Sequence, residues 1–256
     1  MQSIFKITTL CISLGLLILA GCKPKDATPT AKLFLHMHTN IDTNEVEEDS
    51  VYPNAMGRNL KFSRAQFYIS NIKLTKTDGS TVPVSGTILM TWGVEDYPVS
   101  GTIPVGTYKR ITFDVGVASG DNHTDVPSHT GTDVLAAQTP SMHFGSNSDG
   151  YIFMAFEGIV DNSVSGTGTP NTAFSYHIGT DALRQTVTMS DHSVTPYNET
   201  WNATADGTIY VHMIADYGVL VHNVDMKTNV STNTTDNLPL ATTLSGNISS
   251  MFSYEE

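Results

Sequence analysis

Residues 67–80 read FYISNIKLTKTDGS. Aromatic and β-branched side chains dominate the first half, a composition that suits a pleated, packed surface. Asp78-Gly79 then supplies a strong hairpin-turn signal. The stretch predicts a long strand that ends in a reversal of the chain. Most of the remaining chain repeats this theme. Residues 32–38 (KLFLHMH), 87–92, 151–160, 174–178, 184–189 and 208–214 are short apolar or alternating runs. Pro104-Val105-Gly106 turns into residues 108–117 (YKRITFDVGV), which alternate with a period of two. Few windows carry an apolar period of 3.6.

Between these runs lie loops. Residues 119–140 are polar, and one short helix is expected near residues 133–137. Residues 162–172 are rich in Gly, Thr and Ser, and residues 227–236 (KTNVSTNTTD) are expected to be a surface loop. The C-terminal region is expected to end in a short helix or an extended tail. Many short strands separated by turn signals predict an all-β fold, an antiparallel β-sandwich, immunoglobulin-like in general architecture, with long loops. One such domain can use the whole of a 256-residue chain.

The formal net charge is -12, and the 13 Lys and Arg residues are scattered. Nucleic acid needs a cationic stripe, so it is excluded as a partner. The N-terminus carries Lys6, an apolar run over residues 10–19, and then Leu19-Ala20-Gly21-Cys22, which resembles a bacterial lipobox. The apolar run is too short for a comfortable membrane span. Residues 1–21 are expected to be a lipoprotein signal peptide, Cys22 the acylated first residue, residues 22–30 a polar tether, and residues 31–256 a single domain. That places the protein in the bacterial cell envelope, anchored by lipid such as palmitate to the outer membrane, on its periplasmic or surface face. An ordinary signal peptide with a chance cysteine is the alternative.

Cys11 and Cys22 are the two cysteines. If one leaves with the signal and the other is acylated, the mature body has no thiol for a disulfide, a nucleophile or a thiolate metal site. Nine histidines remain as candidates. His36 and His38 stand at i and i+2 of a predicted strand, which puts them on one face about 7 Å apart at Cα. His143 follows Met142 in residues 141–158 (SMHFGSNSDGYIFMAFEG), where a loop meets an apolar strand. His177 and His212 lie in two further strands. His123, His129, His192 and His222 fall in polar segments. Imidazole suits copper, zinc and nickel, thioether suits copper(I), and intrinsic affinity ranks copper above zinc. Each histidine is equally readable alone as a satisfied or surface side chain. Asp121 and Asp125 are a weaker, calcium-like pair of hard ligands in a loop without EF-hand spacing. Trp92 and Trp201 are core anchors or exposed sugar-stacking aromatics. No G-x-S-x-G elbow, H-E-x-x-H helix or phosphate-binding glycine loop is present.

Four motifs, taken in order, resemble one family. They are residues 67–74 with Asp78-Gly79, the Pro-x-Gly-x-Tyr turn into residues 111–117, the block from Met142-His143 through residues 150–153 to Glu157-Gly158, and His177-Ile178-Gly179. Together they are similar to MbnP-like copper-binding proteins over most of residues 33–217. The resemblance implies an extracytoplasmic β-sandwich that binds copper. It also implies, for some members, a dihaem cytochrome c peroxidase-like partner that oxidises a tryptophan to kynurenine. At that tryptophan's place this chain has Phe144, which has no indole to open. The expected function is non-catalytic copper binding for uptake, storage or hand-over. The ligands are drawn from His36, His38 and His143, with Met142, His177 and His212 in reserve. A metal-independent surface module for glycan or protein, and an accessory to a dihaem partner, are the alternatives.

Overall fold

The computed structural model describes residues 28–255. The expected signal peptide and Cys22 lie outside them. The strands, in chain order, are β1 (Thr30–Ile41), β2 (Asn44–Glu45), β3 (Tyr52–Pro53), β4 (Asn59–Lys76), β5 (Thr81–Pro83), β6 (Ile88–Thr91), β7 (Asp96–Pro98), β8 (Ile103–Pro104), β9 (Gly106–Val115), β10 (Ile152–Val160), β11 (Thr172–Gly179), β12 (Gln185–Thr188), β13 (Trp201–Ala203), β14 (Thr208–Asp216), β15 (Ser231–Asn233) and β16 (Phe252–Tyr254). The helices are α1 (Ser119–Asn122), α2 (Tyr217–Leu220) and α3 (Leu238–Ile248). Two sheets form a sandwich-like fold. The larger runs β12-β9-β4-β10-β11-β15, and the smaller runs β16-β14-β1-β2 with β7 also paired to β1.

The strand that the opening motif predicts is the spine of the larger sheet. β4 pairs with β9 on one side and with β10 on the other. Both β4 and β10 are buried on two faces. Phe67, Met154 and Phe156 point into the core between the sheets, whereas Tyr68, Phe153 and Ala155 point into a second cluster with Val117, Leu135, Met142 and Tyr151. The loop of residues 117–151 covers that outer face. This is why residues 67–69 of β4 and 152–156 of β10 read as continuous apolar runs instead of alternating ones, as strands covered on both faces do. Across the sandwich, Phe252 of the smaller sheet meets Phe67 and Phe113 of the larger, with ring centroids 5.5 and 5.2 Å apart.

Three expectations need correction. The sandwich is not wholly antiparallel: β1 runs parallel to β14, and β11 runs parallel to β15. The helix expected at residues 133–137 is a turn, because the Asp133 carboxylate accepts from the Leu135 amide and holds His129, a local alternative to helix. The polar run 227–236 is more than a surface loop. It supplies β15, and the hydroxyls of Thr232 and Thr234 are buried in hydrogen bonds to the backbone. The C-terminus resolves into both expected forms. Asn237 caps α3, accepting from the Leu240 amide, and β16 follows.

Gly158 marks a register shift between β10 and β4. A Cβ there would run into the Lys61 carbonyl oxygen and the Phe62 Cα. These are backbone atoms of a central strand and have little room to yield. Gly158→Ala is expected to cost about 1–3 kcal/mol, read as a lower urea midpoint with an unchanged slope.

Candidate metal centre

β1 buries Leu33, Leu35 and Met37 and turns Phe34, His36 and His38 to the outer face. β14 does the same with Val211 and Met213 inward and Tyr210 and His212 outward. Parallel pairing sets Phe34 beside Tyr210 and His36 beside His212. Their rings touch, with centroids 5.1 Å apart for the first pair and 4.6 Å for the second. On the other flank of β1, β7 sets Asp96 opposite His36. β2 brings Glu45 opposite Asn40. β16 pairs with β14, so that Glu255, just past its end, donates its amide to the His212 carbonyl.

The side chains converge. His36 Nδ1 lies 2.7 Å from Asp96 Oδ1, and His38 Nδ1 lies 2.8 Å from Glu45 Oε1. A carboxylate only accepts, so both Nδ1 atoms carry hydrogen. In the neutral rings both Nε2 atoms then present lone pairs, and they face each other at 3.0 Å. Two nitrogens at that distance need a proton or a metal ion between them, so the pair either shares a hydrogen bond or ligates. The Glu255 carboxylate closes the side, with Oε1 3.4 Å from His38 Nε2 and Oε2 3.1 Å from His212 Nδ1. Glu95 Oε2 stands 4.0 Å from His36 Nε2. His36, His212 and Glu255 bring ligand atoms within 4.8 Å of one another, and so do His38, Glu45 and Glu95. Burial alone would lower the His38 pKa. Its hydrogen bond to Glu45 and the nearby charges of Glu255, Glu45 and Glu95 outweigh that and raise it above the ordinary 6.5.

The other expected ligands do not join this group. His143 stands edge-on against Tyr151, and its Nδ1 accepts from the Gly145 amide. Its Nε2 is buried without a partner, and burial lowers its pKa. Met142 is buried, with its sulfur 3.0 Å from Arg64 Nη2. A guanidinium on the thioether repels a metal cation, so Met142 is a packing residue here. His177 is held by Glu157 through Nε2 at 2.8 Å and by Asn233 through Nδ1 at 2.8 Å. Glu157 in turn binds Arg64 at 2.6 Å, so His177 and Met142 belong to one network centred on Arg64. Phe144 lies over Gly179, where a Cβ would collide with its ring. The glycine of the His177-Ile178-Gly179 motif thus makes room for Phe144.

The remaining candidates are accounted for singly. His123 and His129 stitch their loop to the Asn147 carbonyl and to Asp133, and His222 to the Val219 carbonyl. Among the described residues, Asp121 and Asp125 belong to no group of three or more His, Cys, Asp or Glu side chains at ligand distance. Trp92 packs edge-on against Phe62, and Trp201 stacks on His192. Both are half-buried against the core. Sequence reasoning found three of the histidines but missed Glu45, Glu95, Asp96 and Glu255. Asp96 and Pro98 flank the inward-facing Tyr97 in β7, an alternation that could have placed Asp96 outside. Nothing local marks Glu255, whose place depends on the pairing of β16 with β14.

A family model described as MbnP matches residues 30–237. The chain belongs to the MbnP family. MbnP from Methylosinus trichosporium is similar in fold, with a TM-score of 0.53 over 77% of this chain and 80% of that one, at 16% sequence identity. No curated protein matches the chain. The match to the MbnP family takes in His36, His38 and His212, while Glu255 lies beyond it.

The Arg64 network makes a prediction of its own. Burial pushes the Glu157 carboxyl up, but the hydrogen bonds and charges of His177 and Arg64 hold it below its ordinary 4.5. A depressed carboxyl stabilises the fold above the ordinary carboxylate range, and that contribution is lost as pH falls through its folded value. Arg64→Ala is expected to cost about 3 kcal/mol at pH 7. The difference from the parent protein should narrow as the pH drops below 4.5, checked by thermal melts across that range.

Proposed function

We propose that this protein binds one copper ion between His36 and His38, with His212 and Glu255 completing the site. In this reading it holds the ion for uptake, storage or hand-over without turning it over. The observation that carries the reading is the pair of Nε2 atoms facing each other at 3.0 Å while both Nδ1 atoms are tied to carboxylates. Histidines that ligate metals are oriented in this way, with the second nitrogen donating to a carboxylate. The donor set is nitrogen and oxygen. Met37 and Met213 point inward, so no sulfur enters from these strands. Imidazole with carboxylate suits a divalent ion, and the intrinsic order of affinities places copper(II) above zinc.

The expected result is about one equivalent of copper(II) bound to the metal-free protein. Changing His36→Ala and His38→Ala together should weaken binding at least roughly a hundredfold, read by competition against a chelator. Unchanged affinity would remove both residues from the site. Proton and metal compete for the same nitrogens. Because the His38 pKa is raised, affinity should begin to fall at a higher pH than at an ordinary histidine site. An affinity flat from pH 8 to pH 5 would contradict this.

The lipid anchor remains part of the proposal. It rests on Leu19-Ala20-Gly21-Cys22 and on the short polar run before β1. Cys22→Ser is expected to release the protein from the membrane fraction and to abolish labelling by a palmitate analogue. Membrane retention in that variant would count against acylation at Cys22.

A further inference from the structure

One cleft outside the metal centre shares a residue with it. His192, Pro196, Tyr197, Glu199 and Glu255 enclose about 300 Å³. His192 is gripped on both faces, by Tyr197 at 4.8 Å and 17° and by Trp201 at 4.7 Å and 15°, with Tyr254 edge-on at 4.6 Å. It is only 7% exposed, and its Nδ1 is buried with no hydrogen-bond partner. A native fold seldom leaves a buried polar atom in that state without a reason. Two acidic residues, Glu199 and Glu255, are among its lining residues, and no lysine or arginine is. Lys109 and Arg110, from the neighbouring strand β9, are both turned to Asp191, at 2.8 and 3.6 Å.

Acidic walls beside a tyrosine ring select a cation. A planar one gains most, because guanidinium forks onto a carboxylate and also stacks on aromatic faces. Glu255 already serves His212 and His38, at 3.1 and 3.4 Å. A guanidinium that took its oxygens would withdraw them from the metal centre. We propose that this cleft receives an arginine side chain of a partner protein, and that its docking draws Glu255 away and loosens the bound metal. The coupling rests on the copper reading above, whereas the cleft itself does not. Linkage makes the effect reciprocal: whatever factor the guanidinium takes from copper affinity, copper takes from guanidinium affinity.

Methylguanidine serves as the probe, titrated into the full chain in metal-free and copper-loaded forms, with the ring proton resonances of Tyr197, Trp201 and His192 as the readout. Saturable shifts are expected in the metal-free protein, weakened at least roughly fivefold in Glu199→Gln and weaker again for methylammonium, which lacks the fork. Copper affinity should fall, and methylguanidine affinity should fall in the copper-loaded form by the same factor. Shifts that never saturate, or that are the same in Glu199→Gln, overturn the cleft. Saturable shifts with copper affinity unmoved overturn the coupling. If the copper site itself is wrong, the protein binds no copper while the metal-free titration still saturates. That pattern overturns the coupling and upholds the cleft.

Discussion

The parallel pairing of β1 with β14 is the constraint on which both the fold and the site depend. Parallel strands cannot be joined by a tight turn. Here the intervening chain builds the larger sheet, all but β15, before β14 returns to lie beside β1. The inward residues of the pair, Leu33, Leu35, Met37, Val211 and Met213, are all buried in the core. A slip of one residue would turn those side chains to water and the imidazoles inward. Apolar burial therefore sets the register, and the register sets His36 beside His212. The metal-centre geometry follows from packing that involves none of its ligands.

Charge then divides the two halves of the molecule. On the outer face of β1 and β14, four carboxylates surround three imidazoles, and among the described residues those carboxylates pair with histidines and not with lysine or arginine. Near residues 140–142, the cation is built in. Arg64 is nearly buried and reaches Glu157, Gln66, the Ser141 carbonyl and the Met142 sulfur. One region is short of positive charge and the other already holds it. This difference is what makes the outer face of β1 and β14 the candidate for a metal ion.

Much of this was legible in the sequence, and the failures have physical causes. The alternation in KLFLHMH placed His36 and His38 on one outer face, as the structure has them. Residues 67–74 and 150–158 marked the spine of the larger sheet because burial on both faces left residues 67–69 and 151–156 apolar without a break. Strand direction was not legible, since β1 and β14 have the same alternation whether they run parallel or antiparallel. The nearness of His212 to His36 was not legible for that reason: only the parallel register brings the two together. Met142 misled because a thioether beside a histidine looks like a soft ligand pair, and nothing near it in sequence announces Arg64. Glu45, the Glu95-Asp96 pair and Glu255 come from three separate short segments, and only their pairing with β1 and β14 brings them to the histidines.

X-ray absorption at the copper edge of the loaded protein tests the central claim most directly. The account predicts a shell of nitrogen and oxygen near 2.0 Å, with the outer-shell scattering of more than one imidazole and no sulfur. A sulfur scatterer at about 2.3 Å, or an imidazole signal unchanged when His36 and His38 are replaced, would contradict it.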